Sequence, residues 1–332
     1  MTTLNAFRIH NDDAGHRAGI ETIDTGALSP GEVLVKVAYS SVNYKDALAG
    51  TGKGRILRSY PLNGGIDVAG HVVASTDPAF REGDAVLCTG SGLSETRDGG
   101  YGEYLRLDAR WAIPLPAGLN LRESMILGTA GFTAALALLR MQDNRQTPPM
   151  GPIAVTGASG GVGMLAIDIF GRAGYEVHAI SGKVDHFNFL RGLGASACID
   201  RHQLGFRGKP MDSVRFGGAL DNVGGTMLSG LLPLISPYGN VAICGNAGGV
   251  EFNSTVMPFI IRGASLLGIA SAGTARDLRD RIWQHLASDW KPQHLDRIVT
   301  REIGLDELPG IFTRMLAGDS FGRTLVRIGG AV

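Results

Sequence analysis

The chain has little of what marks secreted, membrane-spanning or nucleic-acid-binding proteins. Its 3 cysteines (Cys88, Cys198 and Cys244) are far apart and form no CxxC pair, which indicates reduced thiols rather than a disulfide framework. Its 31 basic residues balance 31 acidic ones, which argues against a general binder of nucleic acids or membrane surfaces. No apolar run approaches the ~20 residues of a membrane span, and the amino terminus has no signal-peptide pattern. We therefore expect a cytoplasmic protein without a membrane or nucleic-acid partner.

A glycine-rich stretch, Ala154–Gly163, follows an apolar run and leads into a segment with helical apolar spacing, 164–170. Within it, Gly157, Gly160 and Gly163 recur at every third position. Such a turn joins a strand tightly to a helix whose first amides remain available to a phosphate. The stretch therefore predicts a dinucleotide site, although glycine-rich turns also occur without a ligand.

The next predicted strand, Tyr175–Ile180, ends in Ser181–Lys183 rather than in an acid. An acid at this place would bind the 2′-hydroxyl of NAD and repel the 2′-phosphate of NADP. We expect Lys183 and Arg201 to bind that phosphate and the cofactor to be NADPH, the alternative being that both are solvated surface cations. We interpret the nearest acid, Asp185, as the cap of a helix over 185–193.

Further strands alternate with helical segments along the middle of the chain. We predict them at 197–199, 218–225, 239–245 and 265–270. Together with the two strands above they predict an α/β doubly wound parallel sheet, which binds ligands at the carboxyl ends of its strands. The strand at 265–270 would be an apolar sheet edge, so we expect a homodimer that pairs this edge with its copy.

The first ~125 residues have a different pattern, and a chain of this length is expected to form two domains. Short strands without long helices between them are predicted at 32–39, 70–74 and 84–88. They indicate a β-rich, barrel-like domain. We expect this domain to comprise residues 1–125 and to be completed by 274–332, and the nucleotide-binding domain to comprise 126–273.

Several motifs occur in an order that resembles the medium-chain dehydrogenase/reductase superfamily. They are Ser41–Asp46, Gly64–Gly70, Asp98–Tyr104, Gly128–Ala134, the glycine-rich stretch and Gly322–Val326. Within that superfamily, Asn43–Leu48, Thr51–Gly54 and Thr255–Ile260 resemble the zinc-free quinone-oxidoreductase branch, and especially its NADPH-dependent acrylyl-CoA reductases. The resemblance covers essentially the whole chain and implies a GroES-like domain beside a Rossmann domain.

The resemblance also implies site residues. It assigns catalytic positions to Asn43, Tyr44 and Asp46, with a capping role for Asp46 and a packing role for Tyr44 as alternatives. It assigns cofactor contacts to Tyr44, Gly157, Ser159, Gly160, Gly161, Val162, Gly163, Ser181, Gly182, Lys183, Arg201, Asn246, Ile260, Ser271 and Gly318.

We expect no metal. The zinc-containing members of the superfamily need a Cys where this chain has Asn43, and a His within the triplet that is here Gly65–Asp67. A single Cys88 does not supply a four-thiolate structural site. Without a Lewis acid, reduction of an activated C=C bond fits better than alcohol oxidation.

A basic loop suggests the substrate. Lys53, Arg55 and Arg58 are candidates for binding the phosphates of a coenzyme A ester, and Arg323 is a further candidate. The alternatives are a solvated loop and a surface ion pair. The leading hypothesis is therefore an enzyme that reduces acryloyl-CoA to propanoyl-CoA with NADPH, by hydride transfer to the β-carbon and protonation at the α-carbon. Reduction of quinones or α,β-unsaturated ketones is the enzymatic alternative, and non-catalytic NADPH binding is the alternative of another class.

Overall fold

The computed structural model describes residues 2–206 and 208–329. The chain forms two compact units. The first comprises residues up to Thr129, Ala272–Arg281 and the chain from Leu295 onward, and the second comprises Ala130–Ser271 and Ile282–His294.

The secondary-structure elements are named in chain order. The strands are β1 (Thr3–Asp12), β2 (Gly15–Asp24), β3 (Val33–Ser41), β4 (Leu62–Asn63), β5 (Asp67–Ser75), β6 (Ala85–Thr89), β7 (Tyr104–Leu107), β8 (Ile113–Pro114), β9 (Ile153–Thr156), β10 (Val177–Ser181), β11 (Ala197–Asp200), β12 (Gly218–Asp221), β13 (Asn240–Ile243), β14 (Ser265–Gly268), β15 (Val299–Ile303) and β16 (Arg323–Arg327). The α-helices are α1 (Tyr44–Thr51), α2 (Leu121–Asp143), α3 (Gly161–Arg172), α4 (Phe187–Arg191), α5 (Gly225–Leu231), α6 (Met257–Arg262), α7 (Arg276–Ala287), α8 (Leu295–Ile298) and α9 (Leu308–Leu316).

The second unit is built on a parallel sheet of 6 strands in the order β11-β10-β9-β12-β13-β14. The central strands β9 and β12 are fully buried, because helices cover both faces of a doubly wound sheet. The strand order changes direction at β9, and such a switch point is where sheets of this kind bind ligands. The predicted α/β class is confirmed.

The first unit is rich in β-structure, as expected. Strand β3 pairs with β5, β7 and β16, all antiparallel. The pairing of β16 brings the end of the chain back to the first unit, with Leu325 opposite Ser41. Strand β16 therefore belongs to the sheet of the first unit.

A long hairpin of β1 and β2 was missed by the sequence analysis. Its strands pair from Thr3 opposite Asp24 to Asp12 opposite Gly15. The signal was the alternation of the apolar Leu4 and Ala6 with the polar, exposed Thr3 and Asn5, followed by a turn in which Gly15 has a φ of 86°.

Helix α2 has 23 residues and is mostly apolar. It is long and apolar enough to cross a membrane, but 89% of its most apolar window is buried within the protein, as in a core helix. Its backbone leaves the helical region at Gly128, with φ 47° and ψ −152°.

Two local expectations are corrected. Asp185 does not cap a continuous helix, because Val184–His186 forms a 3₁₀ turn before α4 begins at Phe187. The segment Ile282–His294, which we grouped with the β-rich domain, belongs to the second unit. There the Trp283 ring lies 6.1 Å from that of Phe132, which gives this segment an apolar anchor.

Candidate active site

The glycine turn between β9 and α3 has the geometry that a pyrophosphate needs. Gly157 has a φ of 57°, which favours glycine. A β-carbon at Gly163 would lie 2.5 Å from the carbonyl oxygen of Gly157, so helix and turn approach each other too closely for any side chain. Gly160 is the N-cap of the 12-residue helix α3. The amides of Gly161 and of the next two residues have no acceptor within the helix and are suited to bind an anion.

A second group lies where β10 and β11 end side by side. Ser181 and Ser159 are buried, with their hydroxyl oxygens 3.0 Å apart, and the Lys183 amide donates to Ser181 Oγ at 3.1 Å. The guanidinium of Arg201 lies over Gly182, where a β-carbon would be 2.6 Å from Nε. A side chain at position 182 would displace the Arg201 guanidinium from this place. Within Ser181–Lys183, the end of β10 carries hydroxyl and cationic groups without an acid.

The carboxyl edge of the same sheet is braced by Asp221, a residue the sequence analysis did not single out. Its buried carboxylate accepts from Thr156 Oγ1 and from the Gly224 amide, both at 2.7 Å. Burial raises the pKa of Asp221. The bond from Thr156 ties β9 to β12 beside the glycine turn, and the bond from Gly224 closes the turn after β12. An aspartate in the otherwise apolar strand Gly218–Asp221 was the available signal.

The remaining predicted cofactor positions lie in separate segments of the chain. Asn246 is exposed in the loop after β13, and Ile260 on α6 is 68% exposed. Ser271 Oγ lies 2.8 Å from Thr133 Oγ1 in the polypeptide after β14. Gly318, in the first unit, has a φ of 82° just after α9, which explains its glycine as a helix terminator. The cofactor roles of these four residues stay predictions.

In the first unit, Asn43 is the N-cap of α1 and begins a buried polar network. Its amide nitrogen Nδ2 donates to Asp46 at 3.2 Å and to Asp67 at 2.8 Å, and its oxygen accepts from Arg323 at 3.2 Å. Both hydrogens of the amide are therefore used inside the protein. Tyr44, the next residue, is 43% exposed.

Asp46 closes the first turn of α1, as its alternative capping role predicted. Its carboxylate accepts hydrogen bonds from the main-chain N–H of Asn43 at 2.8 Å and from that of Ile66 at 2.9 Å. Burial, together with the nearby Asp67 carboxylate, raises the pKa of Asp46 to about 7. The helix that it caps begins at Tyr44.

Asp67 is the centre of the network and was missed as a functional candidate. It is fully buried and accepts from Ser41 Oγ and Thr129 Oγ1, both at 2.6 Å, and from the Thr129 amide at 3.0 Å. The kink at Gly128 directs that amide at the carboxylate, and a β-carbon there would lie 2.5 Å from Asp67 Oδ2. The signal was an aspartate within the apolar motif Gly64–Gly70.

Arg323 is not a surface residue, and this corrects our expectation of a substrate contact. It is 3% exposed, and its guanidinium donates to Ser41 Oγ at 2.7 Å and to the carbonyl oxygens of Val42 and Ile126, both at 3.0 Å. Burial lowers the pKa of Arg323. Its partners are internal, so we assign it to the support of the Asn43 turn.

The basic loop keeps its exposed cations. Lys53 and Arg55 are exposed, and we find no ion pair for either within the described residues. Arg58 is different, because its guanidinium lies 3.2 Å from the carboxylate of Glu95.

The residues that the structure describes contain no group of three or more His, Cys, Asp or Glu side chains arranged to hold a metal ion. At the position of the expected zinc ligand, Asn43 lies between two carboxylates and a guanidinium. The absence of a resident metal stays a prediction.

Comparison with known proteins identifies the family. Residues 29–117 match the alcohol dehydrogenase GroES-like domain. Two relatives match over nearly the whole chain. YhfP of Bacillus subtilis, named as a quinone oxidoreductase, is 45% identical over 93% of this chain and 94% of its own. AcuI of Escherichia coli, named as an acrylyl-CoA reductase, is 40% identical over 98% of this chain and 100% of its own.

Solved structures agree with this relationship. The crystal structure of YhdH of Escherichia coli K-12 with bound NADPH has a TM-score of 0.93 and 40% identity, covering 98% of this chain and 100% of that one. YhfP of Bacillus subtilis with bound NAD has a TM-score of 0.94 and 43% identity at the same coverage. The chain is therefore an oxidoreductase of the medium-chain dehydrogenase/reductase superfamily, and it belongs to the branch that includes quinone oxidoreductases and acrylyl-CoA reductases.

Proposed function

We propose that this protein reduces the C=C bond of acryloyl-CoA to propanoyl-CoA with NADPH. The substrate assignment is supported by the similarity to AcuI, which extends over 98% of the chain. The quinone alternative is supported by the 45% identity to YhfP. A small quinone has no phosphate groups that a loop with three basic side chains could bind, so we favour the coenzyme A thioester as the substrate.

The choice of NADPH rests on the end of β10. Arg201 lies over Gly182, beside the Ser181 and Ser159 hydroxyls, and Lys183 follows in the chain. Guanidinium, ammonium and hydroxyl groups bind a phosphate, and a carboxylate at Ser181 would repel it. One similar structure contains bound NADPH and another contains bound NAD. We therefore base the choice between the two cofactors on the residues at the end of β10.

The proposed mechanism uses the exposed Tyr44 hydroxyl. The bound nicotinamide would supply the hydride. Tyr44 would donate a hydrogen bond to the thioester oxygen, on which negative charge develops as the β-carbon is reduced. Asn43 has no hydrogen left for the substrate, so we propose that it and Asp46 position the turn that carries Tyr44. The α-carbon would take its proton from water or from an exposed side chain.

The test is to follow NADPH oxidation by the purified protein with acryloyl-CoA and a small benzoquinone in parallel, with and without a chelator. We expect rapid thioester turnover that the chelator does not change, and little turnover of quinone. Turnover of quinone alone would favour the alternative reductase. Tight NADPH binding without turnover of any acceptor would support a non-catalytic role.

We also propose a homodimer formed through β14. In the described part of the second unit this strand ends the sheet and pairs only with β13. Val256, Ile260 and Ile261 on the preceding segment are each more than 60% exposed. An apolar surface beside a sheet edge is suited to pairing with a second copy. Sedimentation should give twice the monomer mass, and Ile261→Glu should reduce the sedimenting mass to that of the monomer.

We also propose that this enzyme is located in the cytoplasm.

A further inference from the structure

Glu95 lies in the loop between β6 and β7, and two cations approach its carboxylate. Lys45 Nζ is 2.6 Å from one carboxylate oxygen, and the Arg58 guanidinium is 3.2 Å from the other. Lys45 directly follows Tyr44 in the first turn of α1, and Arg58 ends the basic loop. One carboxylate therefore joins the two segments of the first unit that the proposed function assigns to the substrate.

The main chain and the side chain of Arg58 are attached to this loop separately. The Arg58 amide donates to the Glu95 carbonyl oxygen at 2.7 Å. The Arg58 side chain is 74% exposed, whereas that of Glu95 is 22% exposed. The main chain of Arg58 is thus held by a bond that does not involve the Glu95 carboxylate, and the ion pair adds a separate contact between the two side chains.

The two neighbouring cations favour the negatively charged form of Glu95. The hydrogen bond from Lys45 holds the pKa of Glu95 below its usual range, and Arg58 adds to the effect. A guanidinium binds carboxylates and phosphates through the same donors. A carboxylate already bound to Arg58 is therefore an internal competitor for any phosphate that approaches this loop.

We propose that Glu95 is a specificity-determining residue for phosphorylated substrates. In the free enzyme it engages Arg58. When a coenzyme A ester binds, its phosphate groups displace the Glu95 carboxylate from Arg58 and meet Lys53 and Arg55 on the same loop. Glu95 thereby lowers the affinity for phosphorylated ligands in general and selects those whose phosphates reach the whole loop. This inference rests on the proposed function, because it takes a coenzyme A ester as the substrate.

The experiment compares the wild-type protein with Glu95→Gln, which keeps the shape of the side chain and the main-chain bond but removes the charge. Asp108→Asn is the matched control, because Asp108 is 17% exposed and lies 2.5 Å from Arg110, which is 76% exposed. Coenzyme A is titrated calorimetrically into each protein loaded with NADP⁺, at low and at high salt. The KM for acryloyl-CoA is measured alongside.

We expect Glu95→Gln to bind coenzyme A about two- to fivefold more tightly at low salt, because the exposed Arg58 no longer has to be released from a carboxylate before it binds a phosphate. High salt should remove the difference, and Asp108→Asn should bind like the wild type. Equal or weaker binding by Glu95→Gln would overturn the inference, and so would an equal gain in the control, which would show a net-charge effect.

The two proposals can fail separately. If the wild-type protein binds coenzyme A but does not oxidise NADPH with acryloyl-CoA, the proposed function is rejected. The coenzyme A titration of Glu95→Gln still tests the role of Glu95 in that case. Turnover of acryloyl-CoA with the same KM and the same coenzyme A affinity in Glu95→Gln would support the proposed function and overturn the role of Glu95. Lower thermal stability together with weaker binding in Glu95→Gln would identify the ion pair as a structural brace and also overturn it.

Discussion

The guanidinium of Arg323 lies 3.9 Å from the carboxylate of Asp67, and neither side chain is exposed by more than 3%. Ser41 Oγ bridges them, because it donates to Asp67 at 2.6 Å and accepts from Arg323 at 2.7 Å. Buried charges need partners of this kind. The pair supports the turn at Asn43 from below, next to the exposed Tyr44.

Replacing Arg323 should therefore affect stability rather than substrate binding. We expect Arg323→Met to lower the free energy of unfolding by about 3–5 kcal/mol, because it leaves the Asp67 charge buried without its cation. Arg327→Met is the control on the same strand, because the Arg327 side chain is exposed and its one ion pair, with Glu302, is long at 3.8 Å. This control should lower the free energy of unfolding by less than about 1 kcal/mol. Denaturant unfolding measures both. A raised KM for acryloyl-CoA at unchanged stability would restore the substrate role.

The raised pKa of Asp46 predicts a dependence of stability on pH. The folded-state pKa is about 7, above the ordinary value of 3.8 for an aspartate, so the folded protein holds a proton that the unfolded chain releases. The stability contributed by this proton is full below pH ~4 and is lost as the pH rises to ~7, with a slope of about 1.4 kcal/mol per pH unit. The free energy of unfolding of Asp46→Asn, measured by denaturant titration from pH 4 to 8, should lack this component. A wild-type-minus-variant difference that does not change with pH would contradict it.

The assignment of Arg201 predicts a cofactor-specific defect. We expect Arg201→Ala to raise the KM for NADPH about tenfold and to leave the KM for NADH unchanged, because only NADPH has the 2′-phosphate. Arg191→Ala is the control, since Arg191 is an exposed arginine of the same unit that donates to Asn188. Steady-state kinetics with both cofactors makes the comparison. Equal losses for both cofactors would indicate that Arg201 acts on the fold.

The exposed hydroxyl of Tyr44 should matter for turnover and not for folding. We expect Tyr44→Phe to lower kcat for acryloyl-CoA about 100-fold with a smaller change in KM, because it removes a donor that acts as charge develops. Tyr60→Phe is the control, as Tyr60 is also exposed in the first unit. Single-turnover NADPH oxidation reports the chemical step directly. An unchanged rate would assign Tyr44 to packing.

Some of the site could be predicted from local sequence. The glycines at 157, 160 and 163 specify the turn because its backbone angles and close contacts exclude side chains. The missing acid at the end of β10 was also visible without a structure. The position of Arg201 over Gly182 was expected only in outline, because parallel strands bring their ends to one edge but do not fix a side chain.

Other features could not be predicted in this way. Arg323 and Asn43 are 280 positions apart in the chain, and Glu95 meets residues from two earlier segments. Sequence spacing carries no information on such contacts, and a basic residue before an apolar strand is as typical of a surface as of a buried ion pair.

The sequence by itself determined the parallel sheet of the second unit, the glycine turn and the β-rich character of the first unit. Those features follow from apolar periodicity and from backbone angles that few residues adopt. The tertiary structure alone decided that Asp67 and Arg323 are buried partners, that the amide hydrogens of Asn43 are used internally, and that Glu95 binds a cation of the basic loop. The physical reason is that a buried charge must find partners, but only the folded chain decides which distant residues those partners are.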